Sequence, residues 1–346
     1  MNIQIKNSKI GKNEKPFLIA EVAQSHDGSL GMAHAFIDAI AASGADAVKF
    51  QTHLAEFEST PSDEWRVKFS DQDKSRYDYW KRMEFSKEEW FSLKKHAEEL
   101  DLVFLSSPFS IQAAEMLESI NMEAWKIPSG EIFNLELINK IAQYEKPLLI
   151  STGLSKFGEI SSVVDICKRK NLEFALFQCT SSYPNNLENV GINIMQEYDK
   201  LFGCPVGLSD HSASIYPSLL AMSLGASLIE VHVTFDKKMF GPDISSSIDF
   251  SELKIISEAA KEFHTILQNP VDKDSISESL SSTKKLFTKS IVLKNSTKIG
   301  TVLTEDMLIM KKPGYGLGFE MINSILGRKL KKDIEKDTLL TIDDVE

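Results

Sequence analysis

At 346 residues the chain is long for one domain, so a large core domain with a small appendage is its natural division. Its 42% apolar and 26% charged residues are those of an ordinary globular protein with a sizeable core. A formal net charge of −11 without a long basic run excludes nucleic acid and an anionic membrane as partners, so any anionic substrate must be held by a local cluster of cations. Cys167, Cys179 and Cys204 form no C-x-x-C pair and read as thiols of a reducing cytoplasm. Residues 1–6 lack the apolar core of a secretory signal, and the most apolar stretch, 219–233, is interrupted by Ser223, Gly225, Ser227, Glu230 and His232 and is too short for a membrane helix.

In chain order, short apolar runs alternate with helix-like stretches, and nearly every run closes on a polar residue. The runs 17–20, 47–48, 102–105 and 125–127 lead to Glu21, to Lys49 with Gln51, to Ser107, and to Ser129 with Glu131. The runs 148–150, 174–177, 206–208 and 228–231 lead to Ser151, to Cys179 and Thr180, to Ser209, Asp210 and His211, and to His232. Eight such units in about 250 residues are what an α/β fold of the (β/α)8 TIM-barrel type needs, with its active site at the carboxyl ends of the strands. An insertion at 54–85, rich in charge and aromatics, follows the second run and is expected to hang over the barrel mouth, either as a selectivity loop or as a decorated rim. The stretch 219–233 reads as the seventh helix running into the eighth strand. A barrel at 1–268 is then followed by a serine-rich flexible linker at 269–284 and a small module at 285–346, too small for a robust core of its own.

The polar residues at the strand ends carry the chemistry. Lys49 and Lys126, with the hydroxyls of Ser107, Ser129, Ser151 and Ser209, compose a cradle for phosphate and carboxylate. A single serine at a strand end is more often a turn former, whereas a lysine inside a buried strand needs a partner. His211 and His232 end adjacent strands, a placement that suits a divalent metal whose other positions belong to water and substrate oxygens; the plainer reading makes one of them a satisfied core residue. Two ligands fit a six-coordinate Mn2+ or Mg2+ better than closed tetrahedral zinc. Glu21 and Glu131 are mouth carboxylates able to orient a hydroxyl or move a proton, with Asp210 and Asp243 nearby.

Ala20-Glu21-Val22, Val48-Lys49-Phe50-Gln51, Ser107-Pro108-Phe109, Lys126-Ile127-Pro128-Ser129-Gly130-Glu131, Cys179-Thr180-Ser181-Ser182-Tyr183-Pro184, Gly207-Leu208-Ser209-Asp210-His211 and Gly241-Pro242-Asp243 occur in this order. Together they resemble the sialic acid synthase family over nearly the whole chain. Lys312-Pro313-Gly314-Tyr315-Gly316 resembles the antifreeze-like (SAF) domain, of β-clip type, that these synthases carry. The resemblance implies condensation of phosphoenolpyruvate with an open-chain hexosamine such as N-acetylmannosamine, giving a nine-carbon 2-keto acid and phosphate. It further implies Mn2+, with Mg2+ or Co2+ as substitutes, on His211 and His232. Lys49, Lys126, Ser107, Ser129, Ser151, Ser181 and Ser209 would bind substrate. Glu21, Gln51, Glu131, Tyr183 and Asp243 would orient the sugar and shuttle protons, acid and base undivided between the glutamates. Lys312 would be supplied by the partner in a domain-swapped homodimer. Ser181, Ile244 and Lys312 depart from the family's usual Asn, His and Arg, which points to a different sugar, such as a bacillosamine- or legionaminate-type precursor or another modified hexosamine. A sugar-phosphate synthase of the DAHP or KDO-8-phosphate type, a metal-dependent aldolase and a degenerate sugar-binding barrel are the alternatives. No added arginine cluster supports the first, the rim lysines tell against the second, and the intact lysines and histidines tell against the third.

Overall fold

The computed structural model describes residues 2–346, which fall into two compact units that divide after residue 268. In the first, eight parallel strands, β1 (Phe17–Ala23), β2 (Ala47–Thr52), β3 (Val103–Pro108), β4 (Trp125–Ile127), β5 (Leu148–Ser151), β6 (Phe174–Cys179), β7 (Val206–Asp210) and β8 (Leu228–His232), form one sheet in the order β3-β2-β1-β8-β7-β6-β5-β4. The end strands β3 and β4 approach each other without ladder pairing, so the sheet is a nearly closed barrel. A helix follows each strand: Leu30–Ser43, Lys87–Glu99, Ile111–Glu118, Leu135–Ile141, Phe157–Arg169, Asn193–Phe202, Tyr216–Ser223 and Phe250–Gln268. Serine side chains cap several of them. Ser29 accepts from Met32 N, and Ser86 closes a capping box with Glu89, which fixes where the chain turns from strand to helix.

The barrel interior is graded. At its amino-terminal end Phe17, Ile19, Ala47, Val103, Leu149, Ala175 and Leu228 form an apolar cluster, closed off by Ile3, Ile5 and Ile10 of an amino-terminal hairpin (Ile3–Ile5 with Ser8–Ile10). Because side chains alternate along a strand, inward positions two residues further on belong to the polar end. Gly207 lets β7 lie close to β8, since a Cβ there would meet Leu228 O at 2.5 Å. No helix among the described residues is long and apolar enough to cross a membrane.

The tract read as a flexible linker is instead helical: Lys273–Ser279, capped by Asp272 accepting from Ser275 N, then Ser281–Phe287. Serine suggested a linker by composition, yet it is only mildly unfavourable in a helix, and a good cap starts a turn. In the second unit Ser290–Leu293 pairs antiparallel with Leu308–Lys311, and Val292, Thr297, Val302 and Leu330 make further bridges with Leu339, Ile334, Lys329 and Val345. Ile291, Leu293, Leu303, Ile325, Leu330 and Leu340 supply its core. Lys312 follows the second of these strands at a cis bond to Pro313, its ammonium 5.2 Å from the Phe287 ring centre.

Candidate active site

The even strands contribute one inward layer at the polar end of the barrel: Lys49 from β2, Lys126 from β4, Phe177 from β6 and Glu230 from β8. This follows the four-from-alternate-strands rule of such barrels, but with ions in place of aliphatic side chains. Lys126 Nζ donates to Glu230 Oε1 and Oε2 at 2.7 and 2.9 Å and stands 4.8 Å from the Phe177 ring centre. Lys49 pairs with Glu21 and approaches Glu230 Oε1 at 3.7 Å, and Ser209 Oγ donates to the same oxygen at 3.1 Å. Burial alone would raise the Glu230 carboxyl; Lys126 and then Lys49 hold it well below its ordinary value. Burial pulls the Lys49 ammonium down to about 7.

Glu230 was not among the sequence-level site residues. The signal was present, because a residue two before His232 on a strand shares its face. Lysines buried this deeply require a counter-charge.

Two imidazoles stand beyond that layer. The His211 and His232 ring centres are 5.3 Å apart, and Tyr183, next to the cis bond to Pro184, stacks on His211 at 4.2 Å and meets His232 edge-on at 5.9 Å. Burial lowers His211 to about 4. It also takes His232 well below its ordinary value, with His211 beside it adding to the shift, so both rings are neutral near pH 7, the form that ligates a metal. His211 Nδ1 bonds Thr180 O at 2.9 Å, which fixes the ring and leaves Nε2 available; His232 Nδ1 is buried without a hydrogen-bond partner. A tied ring beside an orphaned nitrogen is a donor set that fits a divalent cation. It is a pair rather than a full cage: no group of three or more His, Cys, Asp or Glu that could hold a metal occurs among the described residues.

Above these groups opens a cavity of about 500 Å³. Gln51, Ser129, Glu131, Ser181, Tyr183, His232 and Asp243 line it, while Glu21, Lys49, Lys126 and Ser209 belong to the ion layer. Ser107 and Ser151 are buried at the ends of β3 and β5 with unpartnered hydroxyls, as are both amide atoms of Gln24 beside the cavity. Each such orphan costs about 1–3 kcal/mol if left unsatisfied, and Gln24, Ser107 and Ser151 all lie at the carboxyl ends of the strands. Ser129 instead donates or accepts at Cys179 Sγ (3.6 Å) and accepts from Gly153 N (3.0 Å). Burial raises Glu131, which accepts from Asn134, and raises Asp243, against the pull of Arg66. Asp210 accepts from Ser212 Oγ at 2.6 Å and is absent from the cavity wall.

The insertion supplies much of the outer wall. Trp65, Phe69, Tyr79 and Trp80 form an aromatic face, and Arg66 and Arg76 pair with Asp243 and Asp63. The sequence reading placed this segment over the mouth and named these side chains with Tyr77 but gave none of them a role, since a loop has no period to reveal which residues turn inward.

Comparison with known proteins places the chain in a family. The NeuB family model matches residues 36–272 and the SAF domain model residues 288–346. The chain is 33% identical over 333 residues to the N,N'-diacetyllegionaminic acid synthase of Campylobacter jejuni subsp. jejuni, covering 94% of this chain and 99% of the relative. It is also 33% identical to the human N-acetylneuraminate-9-phosphate synthase, covering 95% and 92%. Among solved structures, the N-acetylneuraminic acid (sialic acid) synthetase of Leptospira borgpetersenii serovar Hardjo-bovis, crystallised with citrate, superposes with a TM-score of 0.72 at 31% identity, covering 83% of this chain and 97% of that one. A barrel with an ion layer and a histidine pair at its mouth, followed by an SAF module, in a chain matched end to end by such enzymes, belongs to the NeuB family of sialic acid-like synthases and is itself an enzyme of that kind.

Proposed function

We propose that the protein condenses phosphoenolpyruvate with the open-chain aldehyde of an N-acylated hexosamine, releasing phosphate and a nine-carbon 2-keto acid. The observation that carries this reading is the buried Lys49–Glu230–Lys126 layer, set with the unpartnered hydroxyls of Ser107 and Ser151 and beside two neutral imidazoles. Phosphoenolpyruvate is the anion it suits: the lysines meet phosphate and carboxylate, Ser107, Ser129, Ser151 and Ser181 donate to their oxygens, and Ser209 would join them by turning its hydroxyl from Glu230 to the substrate. His211 and His232 would hold a divalent cation, Mn2+ by donor set and charge, which when bound supplies Lewis-acid polarisation of the aldehyde oxygen. C3 of phosphoenolpyruvate forms the new bond to the aldehyde carbon, water adds at C2, and the phosphate leaves with its bridging oxygen. In this reading Glu131, raised by burial, and Glu21, against Lys49, exchange protons during these steps, and Gln51, Tyr183 and Asp243 orient the sugar.

The acceptor in this reading is unphosphorylated, because both arginines of the cavity are already paired with carboxylates. Phosphate release measured with phosphoenolpyruvate against a panel of hexosamines and their phosphates tests the whole proposal. Turnover with a neutral N-acylhexosamine is the expected result; turnover confined to a sugar phosphate would move the protein to the other class.

We further propose a homodimer in which the carboxyl-terminal module presents Lys312 to the barrel of the second copy. A lysine cannot reproduce a guanidinium fork. Lys312→Arg is therefore expected to shift preference among acylated hexosamines while phosphoenolpyruvate affinity stays unchanged, as read from KM for each substrate. Equal acceptor preference in the two forms would remove Lys312 from recognition.

A further inference from the structure

The insertion is fastened at two separate points. At its base Arg82 makes a forked pair with Asp73, at 2.9 and 2.7 Å, and reaches Asp27 in the loop after β1 through its carboxylate (2.7 Å) and carbonyl (3.0 Å). Near its tip Arg66 crosses the mouth. Its Nη2 donates to Asp243 Oδ1 at 3.0 Å and to Pro242 O at 3.4 Å, and its guanidinium lies 4.4 Å from the Tyr183 ring centre. Tyr183 in turn stacks on His211. Both bonds use one nitrogen, so Nε and Nη1 remain as donors on a side chain that is 46% exposed and lines the cavity.

We propose that Arg66 determines specificity for the acceptor sugar: it seats the insertion on Asp243 and Tyr183 and offers its remaining donors to a neutral acceptor oxygen, a hydroxyl or an acylamino carbonyl. The inference rests on the condensation reading and assigns a residue to it that the sequence motifs do not contain. Charge argues for a neutral group. The Arg66 cation is already matched by Asp243, and Glu58, Asp63 and Glu131 line the same cavity, so a phosphate would have to displace one carboxylate and face three others. Geometry argues for the sugar rather than phosphoenolpyruvate, because Arg66 belongs to the outer wall, whereas the lysines belong to the buried layer.

The test compares Arg66→Ala, Arg66→Lys and Arg82→Ala by steady-state kinetics, with N-acetylmannosamine and its 6-phosphate as acceptor probes alongside the best acceptor from the panel. Arg66→Ala is expected to raise acceptor KM about tenfold or more while phosphoenolpyruvate KM stays within about twofold. Arg66→Lys keeps the charge on Asp243 but not the fork or the stack, so it is expected to recover only part of the loss. An insertion that Arg66 merely holds in place would behave otherwise: Arg66→Ala and Arg82→Ala would lower kcat and raise both KM values together, and lysine would restore them. That pattern, or an unchanged acceptor KM, overturns the proposal. Calorimetric titration of the same sugars into protein saturated with phosphoenolpyruvate separates the two readings. If the wild type releases no phosphate yet binds a hexosamine, condensation falls, and weaker binding by Arg66→Ala still supports Arg66. Equal binding by both forms, or none by the wild type, removes it.

Discussion

Glu230→Ala is expected to lower the unfolding free energy by about 3–5 kcal/mol, the range for breaking a buried ion pair from one side. Glu230 is 4% exposed and accepts from Lys126 at 2.7 and 2.9 Å and from Ser209 at 3.1 Å, with Lys49 at 3.7 Å. Removing it leaves Lys126 with the Phe177 ring as its neighbour, while Lys49 keeps Glu21. Glu230→Gln retains an acceptor but not the charge, so its deficit is smaller. The pH dependence follows from the sign of the shift. The folded-state carboxyl lies below its ordinary value of 4.5, so its contribution is fully present above that value and is lost as pH falls through the depressed one. Urea midpoints of wild type and Glu230→Ala should therefore differ most near neutrality and converge in acid. Coincident midpoints at neutral pH would deny the layer any role in stability.

The second large effect concerns the histidine pair. Exhaustive chelation is expected to reduce turnover on the order of 10³-fold or more, as befits loss of the polarising charge, with Mn2+ restoring it. His211→Ala and His232→Ala should each abolish that restoration. Binding can be read without turnover. The paramagnetic resonance signal of aqueous Mn2+ should fall on adding wild-type protein and persist with either variant. A signal depleted equally by His232→Ala would place the cation elsewhere, and full activity of that variant after chelation would end the assignment.

Strand-end chemistry was legible in the sequence because a parallel barrel writes it periodically. Glu21, Lys49, Ser209, His211 and His232 close or follow an apolar run, Lys126 stands out as a lysine within one, and the barrel brings these positions to one end. What stayed hidden has physical causes. Glu230 sits inside an apolar run rather than at its end, and only the alternation of faces, counted back from His232, shows that it points with the lysines. Arg66 lies in a segment with no regular strand or helix, so nothing local links it to Asp243, 177 residues away. Residues 273–287 were helical where serine content suggested a tether, because composition reports average preference and a single cap such as Asp272 decides the local outcome.

The ion layer also constrains how the chain can reach its native state. Lys126 and Glu230 are separated by 104 residues, and Glu21 and Lys49 belong to β1 and β2 at the start of the barrel. No contiguous early segment contains the complete set of charges. Until β8 arrives, Lys126 lacks its partner and remains better off hydrated, so the polar end cannot dry out ahead of closure. Burial of these charges is thus tied to completion of the circle, and an unfinished barrel keeps its mouth wet and open.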